Sequence, residues 1–241
     1  MSTTFTLSRD DIITLALRKL GVLDIEGVAS ASQLTNHSLV LNMILKAWQS
    51  KGMKLWTVKE YAIPLLSNTN VYTIGPTGTI IQNKPLKLIQ AWLRNESVTP
   101  NVDLPMNIIS RQEYNILSAK NSQGIANSVF LTPNNTDSTL KVWLSPDTNT
   151  ATNYKLWIVV QEAISDVNSN VATDFPNEWM QSLVWNMAAE LAMDYGIPDQ
   201  RMQLIAMQAA KYKEEMEDWD VEYNSTFFQP DMRAQNQRGT V

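Results

Sequence analysis

Residues 174–195 read DFPNEWMQSLVWNMAAELAMDY, and this stretch decides the fold. Pro176 suits a first helical turn, while Gly196 and Pro198 close the segment. In rows of i+4, Trp179-Leu183-Met187-Leu191-Tyr195 and Met180-Val184-Ala188-Ala192 are apolar, and Gln181-Trp185-Ala189-Met193 is mostly so. Only Glu178-Ser182-Asn186-Glu190-Asp194 is polar throughout, so this row is expected to face solvent or a subunit contact. A helix apolar on three rows of four must be covered over most of its circumference. The chain's own helices are expected to supply that cover, and a second subunit part of it.

Working outward, Ser8 is placed to cap a helix to about Leu20, with Asp10 and Asp11 in its first turn and Gly21 at its end. A second helix is expected over Ser32 to Ser50, with Leu34, Leu41, Ile44, Leu45 and Trp48 on one face. His37, the one histidine, shares that face. Packing with a hydrogen bond to a neighbouring carbonyl is the preferred reading over catalysis or metal ligation. After Gly52 the period shortens. Lys54 to Leu66, Val71 to Ile74, Leu86 to Arg94, Ser128 to Thr132, Thr139 to Leu144 and Tyr154 to Glu162 read as strands. Residues 141–144 and 155–158 suggest an antiparallel pair around a turn from Pro146 to Asn153. A short helix at Ser110 to Leu117 carries the capping box Ser110-Arg111-Gln112-Glu113. Strands so spaced, without long helices between them, predict an antiparallel sheet or small barrel.

Beyond Gly196 a further helix is expected from Pro198 to about Tyr223. Its seam is Met202, Ile205, Ala209, Tyr212, Met216, Trp219 and Tyr223. Acidic residues crowd its C-terminal end, where the helix dipole disfavours them, so that end is expected to be only marginally helical without a partner. The polar stretch 224–241 has no period and reads as a flexible tail, with Phe227, Phe228 and Met232 as hydrophobic anchors for a partner. The predicted fold class is therefore α+β. A helical bundle of the N- and C-terminal helices (1–53 and 166–223) carries an inserted antiparallel β domain (54–165) and a flexible tail (224–241).

Composition narrows the chemistry. Among 241 residues there is no cysteine, which removes disulfides, thiolate catalysis and Cys-based zinc sites together. A net charge of −5 gives no basic field to hold DNA or anionic lipid. DNA passing an acidic lining without sequence-specific binding remains compatible with this balance. The opening MSTTFTLSRDD lacks the basic and apolar regions of a signal peptide, and no window has the apolar length of a membrane span, so a soluble product of the cytoplasm is expected. No Gly-x-Ser-x-Gly elbow accompanies His37, and Gly75-Pro76-Thr77-Gly78 reads as a turn rather than a phosphate loop. Glu190 and Asp194 stand one turn apart, but as part of the polar row they are weak metal-ligand candidates. No cofactor and no enzymatic activity are expected. Of the eight tryptophans, Trp48, Trp143, Trp157 and Trp179 fall at interior positions. Trp92, Trp185 and Trp219, with Met193, are candidates for contacts between subunits.

The order of these features carries a resemblance. LSRDDIITLALRKLGVL (7–23), LNMILKAWQSKGMKLWTVKEYAIPL (41–65), VYTIGP (71–76), KPLKLIQAWLR (84–94), ISRQEYNIL (109–117) and DFPNEWMQSLVWNMAAELAMDYGIP (174–198) follow one another as in a known group. The series resembles the head-to-tail adaptor, or head completion, proteins of short-tailed bacteriophages, which include the packaged-DNA stabilisation proteins. The likeness runs from about Leu7 to Pro198. It implies a homo-oligomeric ring, generally of twelve copies, in the virion beneath the portal protein, extending the channel for double-stranded DNA and docking the tail nozzle. It also implies a portal-binding role for the C-terminal helix and tail, here Met216, Trp219, Tyr223, Phe227, Phe228, Pro230, Met232 and Arg233. A member of the group is credited with cell-wall hydrolysis, so a virion-associated peptidoglycan hydrolase is the alternative. No residue of this chain carries that activity over.

Overall fold

Local chemistry sets the helix ends. The Asp11 N–H donates to Ser8 Oγ at 3.2 Å and the Ser8 N–H to Asp11 Oδ2 at 3.0 Å, opening α1 (Arg9–Leu20). Gly21 ends it with φ of 74°, left-handed backbone that glycine adopts without a Cβ penalty, and returns its N–H to Arg18 O. Helix α2 (Ala31–Lys51) starts slightly earlier than expected because Ser30 and Gln33 form the same reciprocal pair, at 2.9 and 3.3 Å. The computed structural model describes residues 5, 7–51, 55–167 and 176–220.

A 3-10 turn at Leu55–Thr57 takes the start of the expected 54–66 strand, which is left as β1 (Val58–Pro64). There follow β2 (Val71–Gly75), β3 (Ile80–Ile81), β4 (Pro85–Asn95), β5 (Val102–Pro105), β6 (Asn107–Ile108) and α3 (Arg111–Ile116), which opens on the Ser110–Glu113 capping box. Next come β7 (Gln123–Gly124), β8 (Ser128–Pro133), β9 (Ser138–Trp143), β10 (Ser145–Pro146), α4 (Thr148–Asn153) and β11 (Tyr154–Glu162). Two long helices end the described chain: α5 (Met180–Asp194), entered through a 3-10 turn at Asn177–Trp179, and α6 (Asp199–Trp219). The chain is α+β.

One sheet has the order β1-β11-β4-β5 and is antiparallel throughout. Apart from a two-stranded parallel pair of β10 and β7, the other sheet has the order β3-β2-β9-β8-β6, antiparallel at its centre and parallel at both edges. Both bury residues in a single core that includes Ile63, Ile74, Leu93, Val129, Leu140 and Ile158. The expected pairing of 141–144 with 155–158 does not occur. Strand β9 pairs with β2 and β8, and β11 with β1 and β4, so the two lie in different sheets. Between them is not a turn but β10 and then α4, whose cap is Asp147 accepting from the Thr150 N–H at 2.7 Å. Trp143 and Trp157 are also corrected. They alternate out of phase with the buried Val142 and with Leu156 and Ile158, and are half-buried on the outer side of their strands.

A second core joins helices from both ends of the chain. Ile12, Ile13, Ala16 and Leu17 of α1 and Leu41, Leu45 and Trp48 of α2 pack with Leu183, Met187, Ala188 and Leu191 of α5 and Ile205 of α6. Trp179 is fully buried, with its ring centroid 5.5 Å from that of Trp48. The polar row of α5 does not simply face solvent. Ser182 is buried, and Asn186 Nδ2 donates to Ser182 O at 2.8 Å and to Ala209 O of α6 at 3.1 Å. Helix α6 covers the Ser182–Asn186 part of that row, while Glu190 and Asp194 are exposed as expected, beside Gln181, Trp185, Ala189 and Met193. Seen from α6, the core side is Met202, Ile205, Ala209, Tyr212 and Met216. The helix continues to Trp219 despite its acidic end, where Lys211–Glu215 and Lys213–Glu217 stand one turn apart at 3.8 and 3.7 Å.

The chain leaving β11 returns to the helices through a row of polar side chains on α2. Gln49 Oε1 accepts from the Ile164 N–H and Asn42 Oδ1 from the Val167 N–H, each at 2.9 Å. Between them Lys46 Nζ donates to Ile164 O at 2.6 Å and pairs with Asp166 at 2.8 Å. The spacing Asn42, Lys46, Gln49 keeps all three on one helix face, aligned with the passing backbone. Among the described residues, no helix is long and apolar enough to cross a membrane.

Candidate assembly surfaces

The candidate contact residues divide between the two cores. Trp92 belongs to β4, whereas Trp185, Met193, Met216 and Trp219 belong to α5 and α6, so the structure does not gather them into one patch. Tyr223, Phe227, Phe228, Pro230, Met232 and Arg233 lie outside the described residues, as do residues 168–175.

Trp92 sits on the outer side of the β1-β11-β4-β5 sheet, where strand register places Ala62, Trp157, Trp92 and Pro105 in one row across four strands. The Trp92 and Trp157 rings are stacked, 6.2 Å apart and 12° from parallel. The Arg94 guanidinium lies 4.5 Å from the Trp157 ring centroid and 6.0 Å from that of Trp92. It is held there by a two-pronged bond to Asp103, with Nε and Nη2 each 2.8 Å from a carboxylate oxygen. That bond holds the Asp103 carboxyl below its usual range and pushes the Arg94 guanidinium up. The result is an aromatic stripe whose rings are held in place by their own neighbours.

On the helical side Trp185 is only half exposed. It stacks on Tyr212 at 6.2 Å, and Lys19 Nζ lies 5.0 Å over its ring. Its remaining side forms the wall of a groove of about 500 Å³ between α1 and the start of α5, with Leu7, Leu15, Met180 and Val184 as apolar lining and Phe5 at the edge. Met193 is 77% exposed and Trp219 59% exposed, whereas Met216 packs on the helical core. Trp219 leaves the expected seam because α5 offers nothing that far along α6.

Two exposed apolar pairs escaped the sequence reading. Leu39 and Met43, 65% and 70% exposed, stand one turn apart on α2, and Leu204 and Met207 are exposed together on α6. Their signal was available as apolar residues at spacings of four and three on the face opposite each buried stripe.

Two buried titratable groups are hydrogen-bonded to side chains. His37 Nε2 is 2.8 Å from the Tyr195 hydroxyl, which also accepts from Gln33 Nε2 at 3.2 Å, so the partner is a hydroxyl rather than the expected carbonyl. Burial lowers the His37 pKa below its ordinary value, against an opposing pull from Asp194. Buried Glu162 accepts from the Tyr61 hydroxyl and from Asn83 Nδ2, so each carboxylate oxygen has a donor. Burial first, and then this bond, raise the Tyr61 pKa. Among the described residues, no three His, Asp or Glu side chains are grouped to hold a metal ion. Neither protein-family models nor curated proteins give a match to this chain. The described surface carries a fixed aromatic stripe, a groove with apolar lining and exposed apolar pairs on helices.

Proposed function

We propose that this protein is a structural adaptor of a phage head-to-tail connector, acting by interlocking subunits without catalysis. The observation that carries the reading is the exposed apolar side chains on helices of one core: Leu39 and Met43, Met193, Leu204 and Met207, and Trp219. Large apolar groups on rigid helices are what a subunit contact uses. In this reading the helices of 1–53 and 166–223 form a bundle that repeats around a ring of about twelve copies in the virion, with 54–165 as its inserted β domain. The ring extends the DNA channel beneath the portal, lets double-stranded DNA pass without sequence-specific binding, and docks the tail nozzle. The order of sequence features along residues 7–198 supports the same reading. Residues 224–241, with Trp219 and Tyr223 before them, grip the portal.

Mass photometry of the purified chain, alone and with its cognate portal, tests this. A shift to the mass of the portal plus about twelve copies is expected. No complex between the two would overturn the proposal. Deleting 224–241 is expected to abolish portal binding while leaving the circular dichroism melt intact, and retained binding would refute the placement of the anchor.

A further inference from the structure

We infer that the outward face of α2 in one copy of this chain packs on the outward face of α6 in the next, with the two helices parallel, an assignment that rests on the reading of the protein as a ring subunit. Leu39 and Met43 are exposed on α2, and Leu204 and Met207 on α6, each pair opposite the buried stripe of its helix. Both helices belong to one core, so the two patches are held rigidly and face different ways. A contact between unlike patches can repeat from copy to copy, as a ring requires. Apolar spacings of four on one helix and three on the other suit ridges set into grooves, with the helices crossing at about 20°.

Charge selects the pairing and its direction. Helix α2 has no acidic residue, and its cations are Lys46 and Lys51. Lys46 pairs with Asp166, whereas exposed Lys51 has no ion pair among the described residues. On α6, Lys211 and Lys213 are taken by Glu215 and Glu217, which leaves exposed Glu214 and Asp218 without an ion pair among the described residues. Lys51 stands about 12 Å beyond Met43 toward the C-terminus, and Glu214 and Asp218 about 11 and 17 Å beyond Met207. Joining the apolar pairs with the helices parallel therefore brings Lys51 between the two free carboxylates.

The course of the helices favours the same direction. Trp48 lies on Trp179 and His37 bonds to Tyr195, so α2 is antiparallel to α5. Trp185 stacks on Tyr212 and Asn186 bonds to Ala209 O, so α6 is antiparallel to α5 as well. Within one copy α2 and α6 thus point the same way. A parallel contact hands that direction on to every further copy, which leaves a rotation about an axis roughly along the helices. An antiparallel contact would invert the neighbour, which permits a twofold dimer but no larger ring.

The chain has no cysteine, so introduced thiols are unique. Full-length Met43→Cys and Met207→Cys, both at exposed positions, are mixed in equal amounts with and without the cognate portal and mildly oxidised. A disulfide dimer should form in the mixture at least about tenfold faster than in either variant alone, because the contact raises the effective concentration of unlike thiols. Both substitutions in one chain should give a ladder of joined chains. Lys51→Glu beside Met43→Cys should slow the mixed disulfide about two- to fivefold, and Glu214→Lys beside Met207→Cys should restore the rate. Like variants joining as fast as the mixture would overturn the choice of faces. A doubly substituted chain that stops at dimers, or a rate indifferent to both charges, would overturn the parallel direction. A portal complex without the mixed disulfide would overturn this contact and leave the adaptor reading standing, whereas a ladder without a portal complex would keep the contact and overturn the adaptor.

Discussion

The polar row of α2 holds the returning chain by backbone donors, and removing its acceptors gives a measurable loss. Gln49→Met keeps the length of the side chain but removes the oxygen that accepts from the Ile164 N–H, and Asn42→Leu does the same for Val167. Both residues that lose an acceptor are buried, at 6% and 9% exposure, so water has little access to the orphaned groups. An unsatisfied buried donor costs about 1–3 kcal/mol, and slight exposure places each of these toward the lower half, about 1–2 kcal/mol. The double variant should lose about 2–4 kcal/mol, with some non-additivity because the donors lie three residues apart on one segment. For a chain of this size that lowers the melting temperature by roughly 5–15 °C. Urea unfolding followed by far-ultraviolet circular dichroism, with each single variant alongside, measures it. A double variant within about 0.5 kcal/mol of the parent would show that these bonds do not hold the segment, and the reasoning would fail.

Other expectations follow from the same structure. Because burial lowers the His37 pKa, the unfolded chain takes up its proton first as pH falls through the ordinary value of about 6.5. Stability should therefore be full above that pH and decline below it until the folded pKa is passed; His37→Gln should flatten this part of the urea-midpoint profile, and an unchanged profile would refute the assignment. Gly21→Ala should cost about 1–2 kcal/mol in urea unfolding through the left-handed φ of 74°, and would also push the Arg201 guanidinium from its contact with Lys19 O. Gly21→Asn should cost less, and equal losses would argue against backbone strain as the cause. Leu39→Asp with Met43→Asp should leave the melting of the isolated chain nearly unchanged, since both side chains are exposed, while preventing the ring with the portal in mass photometry. Ring formation by that variant would remove the α2 pair from the proposed contact.

Helix ends were legible because their chemistry is local. Ser8 with Asp11, Ser110 with Glu113 and Gly21 each act within a few residues, and all occur where their spacing predicts. Strand partners were not, because Leu140 and Val142 alternate as Leu156 and Ile158 do, and alternation says which side is buried but not which sheet. Periodicity placed Trp48 and Trp179 inside correctly but failed for Trp143 and Trp157, whose parity against Val142, Leu156 and Ile158 puts them outside, and only the register with Trp92 reveals the aromatic stripe. On α5 the rows gave the buried Leu183 and Met187 correctly, yet a polar row can be covered when its groups find partners. Asn186 does so with a carbonyl on another helix, which no periodicity encodes. Of the candidate contacts, Met193 and Trp219 are exposed, while Trp185 is partly engaged by Tyr212 and Lys19.

The antiparallel course of α5 and α6 has a mechanical side. A load applied to the chain beyond Asp220 along the axis of α6 acts in shear, so the contacts of Met202, Ile205, Ala209, Tyr212 and Met216 and the Asn186 bond resist together. The same load applied across the axis would peel the helix away one turn at a time, beginning at exposed Trp219, with only one turn's contacts opposing it at any moment. The helix is thus a directional fastener, strong against axial traction and weak against lateral lifting.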